Sequence, residues 1–290
     1  MKLDRKRLEV ILISTVPLII GAGLAVLIIT SGELGDILSW NSQVISISDI
    51  ALQAIVSTGL GSLVVVSLFF TIQKQGPRTR RTIIAFIVSP VLTVSFYIIG
   101  QSLFLIIIKG ADNSIWPSLL AIASLGILLM SFSFIMMDSV PSYIRNFFVA
   151  FYGSVFGTFL GVIFLTASMF VLVISVVLED YLLTKFSPIA ESAYLIDTPG
   201  SDPFDFTRIQ SKTAAVGVGD YIAFSLISAH SLIFFPFHVW IMSILLAIFG
   251  ITINMTVIAR ENKILPGIPL PAILALFPWI VHLISLPLLA

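Results

Sequence analysis

The sequence predicts an all-α polytopic membrane protein with nine transmembrane helices. Of its 290 residues, 58% are hydrophobic and only 10% are charged, whereas soluble domains carry about 25% charged residues. The apolar residues are gathered into stretches of roughly twenty residues, the length that crosses a hydrocarbon core. The Lys and Arg residues fall almost entirely on one side of the predicted topology, as the positive-inside rule requires.

The first span is predicted over residues 10–30. Positive charges precede this apolar run, as in a signal peptide, at Lys2, Arg5, Lys6 and Arg7. The run lacks a clear small-x-small cleavage site and, at about 21 residues, is long enough to cross a bilayer. We therefore interpret it as a retained transmembrane helix.

The number of spans depends on the uncharged stretch from Phe147 to Leu178. As one helix it would be about 48 Å long, which is too long for a single span. A helix that begins at Pro141 and breaks near Gly161 gives two spans instead. With two spans, fourteen of the fifteen Lys and Arg residues lie inside and only Lys109 lies outside, whereas one span gives nine inside and six outside. The charge distribution therefore favours two spans, with the N-terminus inside, in the cytoplasm, and the C-terminus outside.

The whole chain, residues 1–290, is thus predicted to form a single membrane-embedded domain. Its nine helices are expected near residues 10–30, 50–72, 82–108, 116–137, 141–160, 163–184, 213–235, 237–259 and 267–288. The long interior loop 185–212 is polar and rich in turn residues, and it joins the sixth and seventh spans. Such a loop is either a solvated linker or a lid or binding segment, and the sequence leaves both interpretations open.

Composition excludes several classes of function. The chain has no cysteine, which excludes disulfides, thiolate metal sites and cysteine catalysis. Its three histidines are far apart in the sequence, so no metal and no cofactor is expected. There is no basic or acidic tract of the kind that binds nucleic acid. The sequon Asn254-Met255-Thr256 lies within the predicted span 237–259, where it cannot be glycosylated.

Two aspartates are predicted at similar depth on adjacent helices. Asp220 follows the motif Gly217-Val218-Gly219 inside the span 213–235. Hydrocarbon penalises a carboxylate by at least a few kcal/mol, so an intramembrane acid is a functional candidate. The distances from Asp180 to Lys185 and from Lys212 to Asp220 put both acids roughly 7–12 Å from the inner boundary. Two carboxylates at one level indicate acid–base chemistry.

Each acid also has a structural interpretation. Gly217 and Gly219 let helices approach closely, and a packing seam of this kind is common. Glu179 adjoins Asp180 but points about 100° round the helix, so one of the two faces the site and the other faces a neighbour or the interface. Alternatively, Glu179 and Asp180 both cap a helix end near Lys185.

A proline-rich segment begins the ninth predicted span. Three prolines fall within six residues in Pro266-Gly267-Ile268-Pro269-Leu270-Pro271. We expect this run not to start a regular helix, since proline leaves carbonyls without internal donors. Irregular backbone at membrane depth is tolerated only where it is buried in protein or lines a watery cavity. The segment is therefore either a proline-rich helix start or part of a functional site on the inner side.

Together these motifs resemble the presenilin and signal peptide peptidase family of intramembrane aspartyl proteases. Gly217-Val218-Gly219-Asp220 matches the family's Gly-x-Gly-Asp motif, and Asp180 stands where its other aspartate belongs. Pro266-Gly267-Ile268 is similar to its Pro-Ala-Leu motif, with Pro271-Ala272-Ile273 as a rival register. The chain departs from the family at Glu179, where a tyrosine is usual, and in having Pro-Gly-Ile for Pro-Ala-Leu.

The resemblance implies a catalytic dyad of Asp180 and Asp220, with 217–219 and 266–268 as active-site and substrate-binding motifs. The implied reaction is hydrolysis of peptide bonds in transmembrane helices by an activated water, without a metal or a cofactor. The implied partners are transmembrane peptides or proteins and the lipid bilayer, and homo-oligomer formation is left open. The short loops resemble the archaeal homologues, so the expected location is the cell membrane of a prokaryote.

A proton- or cation-coupled secondary transporter is the alternative interpretation. Intramembrane acids and proline-broken helices also serve ion coupling near the bilayer midplane. The sequence shows no inverted repeat, and both acids are predicted toward the inner face rather than the midplane. A purely structural membrane protein would leave the depth-matched acids unexplained. The protease interpretation is therefore favoured.

Overall fold

The described part of the protein is a bundle of apolar helices with one short antiparallel pair of strands. We describe it from a computed structural model, which covers residues 5–32, 75–107, 115–137, 140–186, 207–210, 215–259 and 265–289 and the single positions 48, 52, 55, 56 and 59. The helices are α1 (Arg5–Ser31), α2 (Pro77–Ile107), α3 (Trp116–Met136), α4 (Ser142–Ile163), α5 (Thr166–Phe186), α6 (Val218–Phe234), α7 (Phe237–Ile253) and α8 (Pro269–Leu289). The strands are β1 (Arg208–Gln210) and β2 (Ala215–Gly217).

Within these ranges, five helices are long and apolar enough to cross a membrane, and α6 and α8 are shorter apolar helices. Large apolar side chains face outward, as on α3, where Leu129 is 69% and Ile122 is 65% exposed. Such a face is unfavourable in water and stable in lipid. The chain is therefore a helical, membrane-embedded protein. The nine-span topology stays a prediction, because the predicted span 50–72 lies outside the described residues apart from isolated positions.

Two helices divide the uncharged stretch from Phe147 to Leu178, as predicted. The break falls at Phe164 and Leu165, between α4 and α5. The predicted break near Gly161 is wrong, because Gly161 is a buried residue of α4 where this helix meets α6. A Cβ atom at Gly161 would lie 2.7 Å from the Leu226 carbonyl oxygen. This glycine serves close packing and does not interrupt the helix.

A β-hairpin precedes α6, where the sequence predicts helix from residue 213. The strands are antiparallel, with the pairs Arg208–Gly217, Ile209–Val216 and Gln210–Ala215. The buried, β-branched Ile209 and Val216 favour extended backbone. The predicted helix start is therefore wrong, since the described residues 215–217 form a strand and the helix begins at Val218. Strand β1 lies within the predicted loop 185–212, of which residues 187–206 and 211–212 lie outside the described ranges.

Helix α6 packs most extensively against α4 and α1. Two hydrogen bonds join it to α1. The Tyr221 hydroxyl donates to the Ile13 carbonyl oxygen at 2.7 Å, and the Ser228 hydroxyl donates to the Leu18 carbonyl oxygen at 2.6 Å. Between membrane helices, interhelical hydrogen bonds and close packing replace the hydrophobic driving force that lipid removes. These contacts hold the helix that carries Asp220.

Glycines bring the backbones of α1 and α4 close to the same turn of α6. A Cβ atom at Gly157 of α4 would overlap the Ile222 carbonyl oxygen and the Ser225 hydroxyl. A Cβ atom at Gly21 of α1 would lie 2.6 Å from the Ser225 carbonyl oxygen. Helix α6 is therefore packed closely against both α1 and α4.

Helices α7 and α8 form an antiparallel pair. The Ser243 hydroxyl donates to the Ala275 carbonyl oxygen at 2.8 Å, and a Cβ atom at Gly250 would lie 2.6 Å from the Cα atom of Pro271. Helix α7 continues into one π-helical turn, Asn254–Ile258. The start of α8 therefore lies against the end of α7, and residues 265–268 lead into it as non-helical backbone.

We expect Gly157→Ala to destabilise the protein, because the added methyl group collides with backbone that cannot rotate away. Overpacking of this kind costs about 1–3 kcal/mol. Thermal unfolding of the purified protein in detergent measures the change. Gly126→Ala on α3 is the matched control, since a Cβ atom there meets no atom within 4 Å. An unchanged or raised Tm for Gly157→Ala would contradict the packing of α4 on α6.

Candidate active site

Asp220 lies in the first turn of α6, three residues after Gly217. The backbone of Gly217 is extended (φ −68°, ψ 150°), and its N–H hydrogen-bonds with the Asp220 carboxylate. An acid at this position satisfies a free N–H and lies at the positive end of the helix dipole. The prediction that Asp220 lies inside a helix spanning 213–235 is therefore corrected. The half-buried side chain is at the helix start, where the backbone favours a negative charge.

Asp180 lies near the end of α5 and contacts the segment that precedes α8. Its Oδ2 atom accepts a hydrogen bond from the Ile268 N–H at 3.0 Å. The Gly267 N–H and the Thr184 side chain also hydrogen-bond with this carboxylate. Half-buried between them, Asp180 joins α5 to the backbone of residues 265–268.

Glu179 is half-buried like its neighbour, but the backbone of residues 267–268 donates to Asp180. Of the two adjacent acids, Asp180 is therefore the one that faces this segment. Within the described ranges, no group of three or more His, Asp or Glu side chains is arranged to hold a metal ion.

Gly267 lies between the two carboxylates. Its N–H donates to Asp180, and a Cβ atom built on it would lie 2.7 Å from Oδ1 and 3.1 Å from Oδ2 of Asp220. Asp180 and Asp220 are close enough to interact electrostatically. The structure thus brings both predicted aspartates to one dipeptide, Gly267-Ile268.

Residues 265–268 are non-helical, which agrees with the irregular backbone predicted there. Helix α8 begins at Pro269, and the Ala272 N–H donates to the Ile268 carbonyl oxygen at 3.0 Å. Pro269 and Pro271 stand in the first turn, where a backbone N–H has no intrahelical acceptor, so the missing N–H of proline costs no hydrogen bond. The expectation that this run cannot start a regular helix is therefore wrong from Pro269 onward. The rival register Pro271-Ala272-Ile273 is part of α8, and Pro266–Ile268 is the register that meets the acids.

The first three residues of the Gly-x-Gly-Asp motif have different surroundings. Gly217 ends β2 and precedes α6, as described above. Gly219 is exposed, and the nearest atom to a Cβ built on it is Cδ1 of Ile268, at 4.0 Å. Val218 packs on α4 instead, since its Cγ2 atom would lie 2.9 Å from a Cβ on Gly153. Val218 is therefore a helix-packing residue that adjoins the site in sequence.

An apolar cavity next to the acids was not predicted. Its enclosed part is small, about 30 Å³, and it opens to the surface. It lies among α4, α5, α6 and the segment before α8, and its lining includes Leu160, Val173, Val176, Ala223 and Ile268. Ile268 belongs both to this cavity and to the hydrogen bond with Asp180. Apolar residues that line a cavity resemble apolar residues that face lipid, so the sequence carries no signal for it.

Asn254 is a second feature that the sequence interpretation missed. The residue is only 2% exposed, and its Nδ2 atom donates to the carbonyl oxygens of Gly267 at 3.2 Å and Pro266 at 3.5 Å. The sequon Asn254-Met255-Thr256 does not indicate that Asn254 makes these buried hydrogen bonds. An amide within an otherwise apolar helix is the signal that points to a buried polar contact.

Introduced cysteines can test the approach of Gly267 to Asp220, since the chain has no cysteine of its own. We expect Asp220→Cys/Gly267→Cys to form an intramolecular disulfide on mild oxidation, because a Cβ at residue 267 lies 3.1 Å from Cγ of Asp220. Mass spectrometry of non-reduced peptides measures the cross-link. Asp220→Cys/Gly126→Cys should remain reduced, and equal oxidation of both pairs would contradict this geometry.

Comparison with known proteins supplies no family for this chain. No family model matches it, and no curated protein matches it. The resemblance to the presenilin and signal peptide peptidase family therefore rests on the motifs at 217–220 and 266–268 and on the predicted topology.

Proposed function

We propose that the chain is an intramembrane aspartyl protease that hydrolyses peptide bonds of transmembrane helices with Asp180 and Asp220. The observation that carries this proposal is the convergence of both carboxylates on Gly267-Ile268. Asp180 accepts the Ile268 N–H, and Asp220 lies against the Cα atom of Gly267. Two acids held at one point by separate helices are suited to acid–base catalysis.

In the proposed mechanism, one carboxyl group of the pair is ionised and the other is protonated, because two neighbouring carboxylates do not readily ionise together. The carboxylate takes a proton from a water molecule, and the water oxygen attacks the scissile carbonyl carbon. The protonated carboxyl group donates its proton to the carbonyl oxygen. In the second step the carboxyl group that took the water proton gives it to the amide nitrogen, and the other carboxylate takes a proton from a hydroxyl of the tetrahedral intermediate. The C–N bond then breaks into an acid and an amine, and the pair returns to its first state. Neither aspartate is acylated.

A substrate helix hides its peptide bonds in its own hydrogen bonds, so it has to unwind before it is cleaved. Extended backbone beside the acids supports this step. Strand β2 ends at Gly217, three residues before Asp220, and it pairs along one edge with β1. An unwound substrate can pair with such backbone by strand addition.

The apolar cavity supports a substrate of membrane-helix composition. Ala223 lies three residues after Asp220, Val176 lies four residues before Asp180, and both line it with Ile268. An apolar lining of this kind suits an apolar side chain next to the scissile bond. Side chains of this kind are abundant in transmembrane segments.

The motif resemblance and the apolar helices support the remaining parts of the proposal. These are a nine-span topology with a cytoplasmic N-terminus, catalysis toward the inner face, and residence in the cell membrane of a prokaryote of archaeal type. The substrates would be transmembrane peptides or proteins, and the reaction would need no cofactor.

We expect Asp180→Asn and Asp220→Asn each to lower cleavage of a single-span reporter peptide by at least about 100-fold, since each removes one proton-transfer group. Asparagine keeps the size of aspartate and can still accept the backbone hydrogen bonds, so thermal unfolding should be little changed. Product release by the purified variants in detergent measures the effect. Glu179→Gln is the matched control and should cleave normally. Normal cleavage by Asp180→Asn together with loss in Glu179→Gln would show that the dyad is misassigned.

We expect Ala223→Leu to change the choice of cleavage site, because the larger side chain fills the cavity beside Asp220. Cleavage next to bulky apolar residues should decrease relative to cleavage next to Ala or Gly. Mass spectrometry of products from a set of reporter peptides measures this preference. Ala121→Leu, at an exposed position on α3, is the control. The same product pattern for both variants would contradict a role of the cavity in substrate selection.

A further inference from the structure

A π-helical turn, Asn254–Ile258, follows α7 directly. The Ala259 N–H donates to the Asn254 carbonyl oxygen at 2.8 Å, which closes the wider turn. Single π-turns in α-helices occur frequently at functional sites. Here the turn carries a buried carboxamide on a helix that is otherwise almost entirely apolar.

The Asn254 side chain supplies hydrogen-bond donors to backbone carbonyl groups that have few other donors nearby. The carbonyl groups of Pro266 and Gly267 precede α8, so they lie outside its hydrogen-bonding pattern. Pro269 and Pro271, which follow at once, have no N–H. Both contacts of the Asn254 side chain are carbonyl oxygens. The NH₂ group, rather than the amide oxygen, must therefore face them.

This short segment turns its carbonyl groups toward Asn254. Its other side faces the two acids. The N–H groups of Gly267 and Ile268 donate to Asp180, and the Cα atom of Gly267 lies against Asp220. A peptide plane is rigid, so fixing the Gly267 carbonyl group also fixes the direction of the Ile268 N–H. Asn254 thus determines how this backbone is presented to both carboxylates.

We infer that Asn254 is a positioning residue that holds Pro266–Ile268 in the orientation in which the segment contacts Asp180 and Asp220. This inference rests on the proposed function, since the orientation matters for catalysis only if the two aspartates are the catalytic pair. Asn254 itself contacts neither carboxylate. Its effect on the reaction passes through the backbone of Gly267.

The test compares Asn254→Leu, which keeps the size of the side chain and removes the donor, with Asn254→Gln, which keeps the donor. A small misplacement of a site lowers catalysis by about 100-fold. We expect Asn254→Leu to lower kcat to that extent and to change KM little, and Asn254→Gln to recover at least tenfold of the loss. Steady-state cleavage of the reporter peptide gives both constants.

Ser243→Ala is the matched control for a merely structural role. It removes another buried hydrogen bond between α7 and α8, from Ser243 to the Ala275 carbonyl oxygen, away from the acids. Both Ser243→Ala and Asn254→Leu should lower the Tm, and only Asn254→Leu should lower kcat. Equal losses of Tm with kcat unchanged in both variants would overturn the positioning role.

A measurement that does not need catalysis separates this inference from the proposed function. Asn254→Leu in the Asp220→Cys/Gly267→Cys background should slow disulfide formation, because residue 267 is no longer held beside residue 220. Ser243→Ala in the same background should leave the rate unchanged. If the wild-type protein cleaves no peptide but Asn254→Leu slows the cross-link, the proposed protease function fails and the positioning of the segment stands. A rate unaffected by Asn254→Leu would overturn the inference whatever the activity.

Discussion

Non-helical backbone inside an apolar helix bundle needs hydrogen-bond partners for its N–H and carbonyl groups, and this constraint organises the site. Residues 265–268 form such a segment, and the prolines after it remove donors that a regular helix would have. The N–H groups of Gly267 and Ile268 donate to Asp180 of α5, and the carbonyl groups of Pro266 and Gly267 accept from Asn254 in the π-helical turn after α7. Helix α5 and the end of α7 therefore meet at the irregular backbone that leads into α8.

The orientation of the two carboxylates follows from rigid elements. Asp220 is hydrogen-bonded to the Gly217 N–H at the start of α6. Helix α6 packs closely against neighbouring helices at Gly157 and Gly21. Asp180 is held by the segment that leads into α8. A catalytic pair needs this kind of preorganisation, because small displacements of the reacting groups cost large factors in rate. The same contacts also stabilise the bundle, so fold and proposed chemistry share one set of interactions.

Hydropathy and charge distribution were sufficient to predict the described helices, including the division of the stretch 147–178. The matched distances from Asp180 and Asp220 to flanking lysines predicted that the acids meet. The start of α6 could not be predicted in this way, because β2 forms only through pairing with β1, a contact that local pattern does not encode. The role of Asn254 and the apolar cavity depend on which helix faces meet. A sequence alone does not specify those faces when nearly every side chain is apolar.

The most direct test of the central claim is incubation of the purified protein with a transmembrane peptide, with and without a hydroxyl-containing transition-state analogue of aspartyl proteases. Such an analogue mimics the tetrahedral intermediate that the Asp180–Asp220 pair would stabilise, and it binds far more tightly than a substrate. If the two aspartates are catalytic, two peptide fragments form, and the analogue blocks their release at a stoichiometry of one per site. Ion-driven uptake by liposomes that contain the protein, with no peptide cleavage, would show instead that the protein is a transporter.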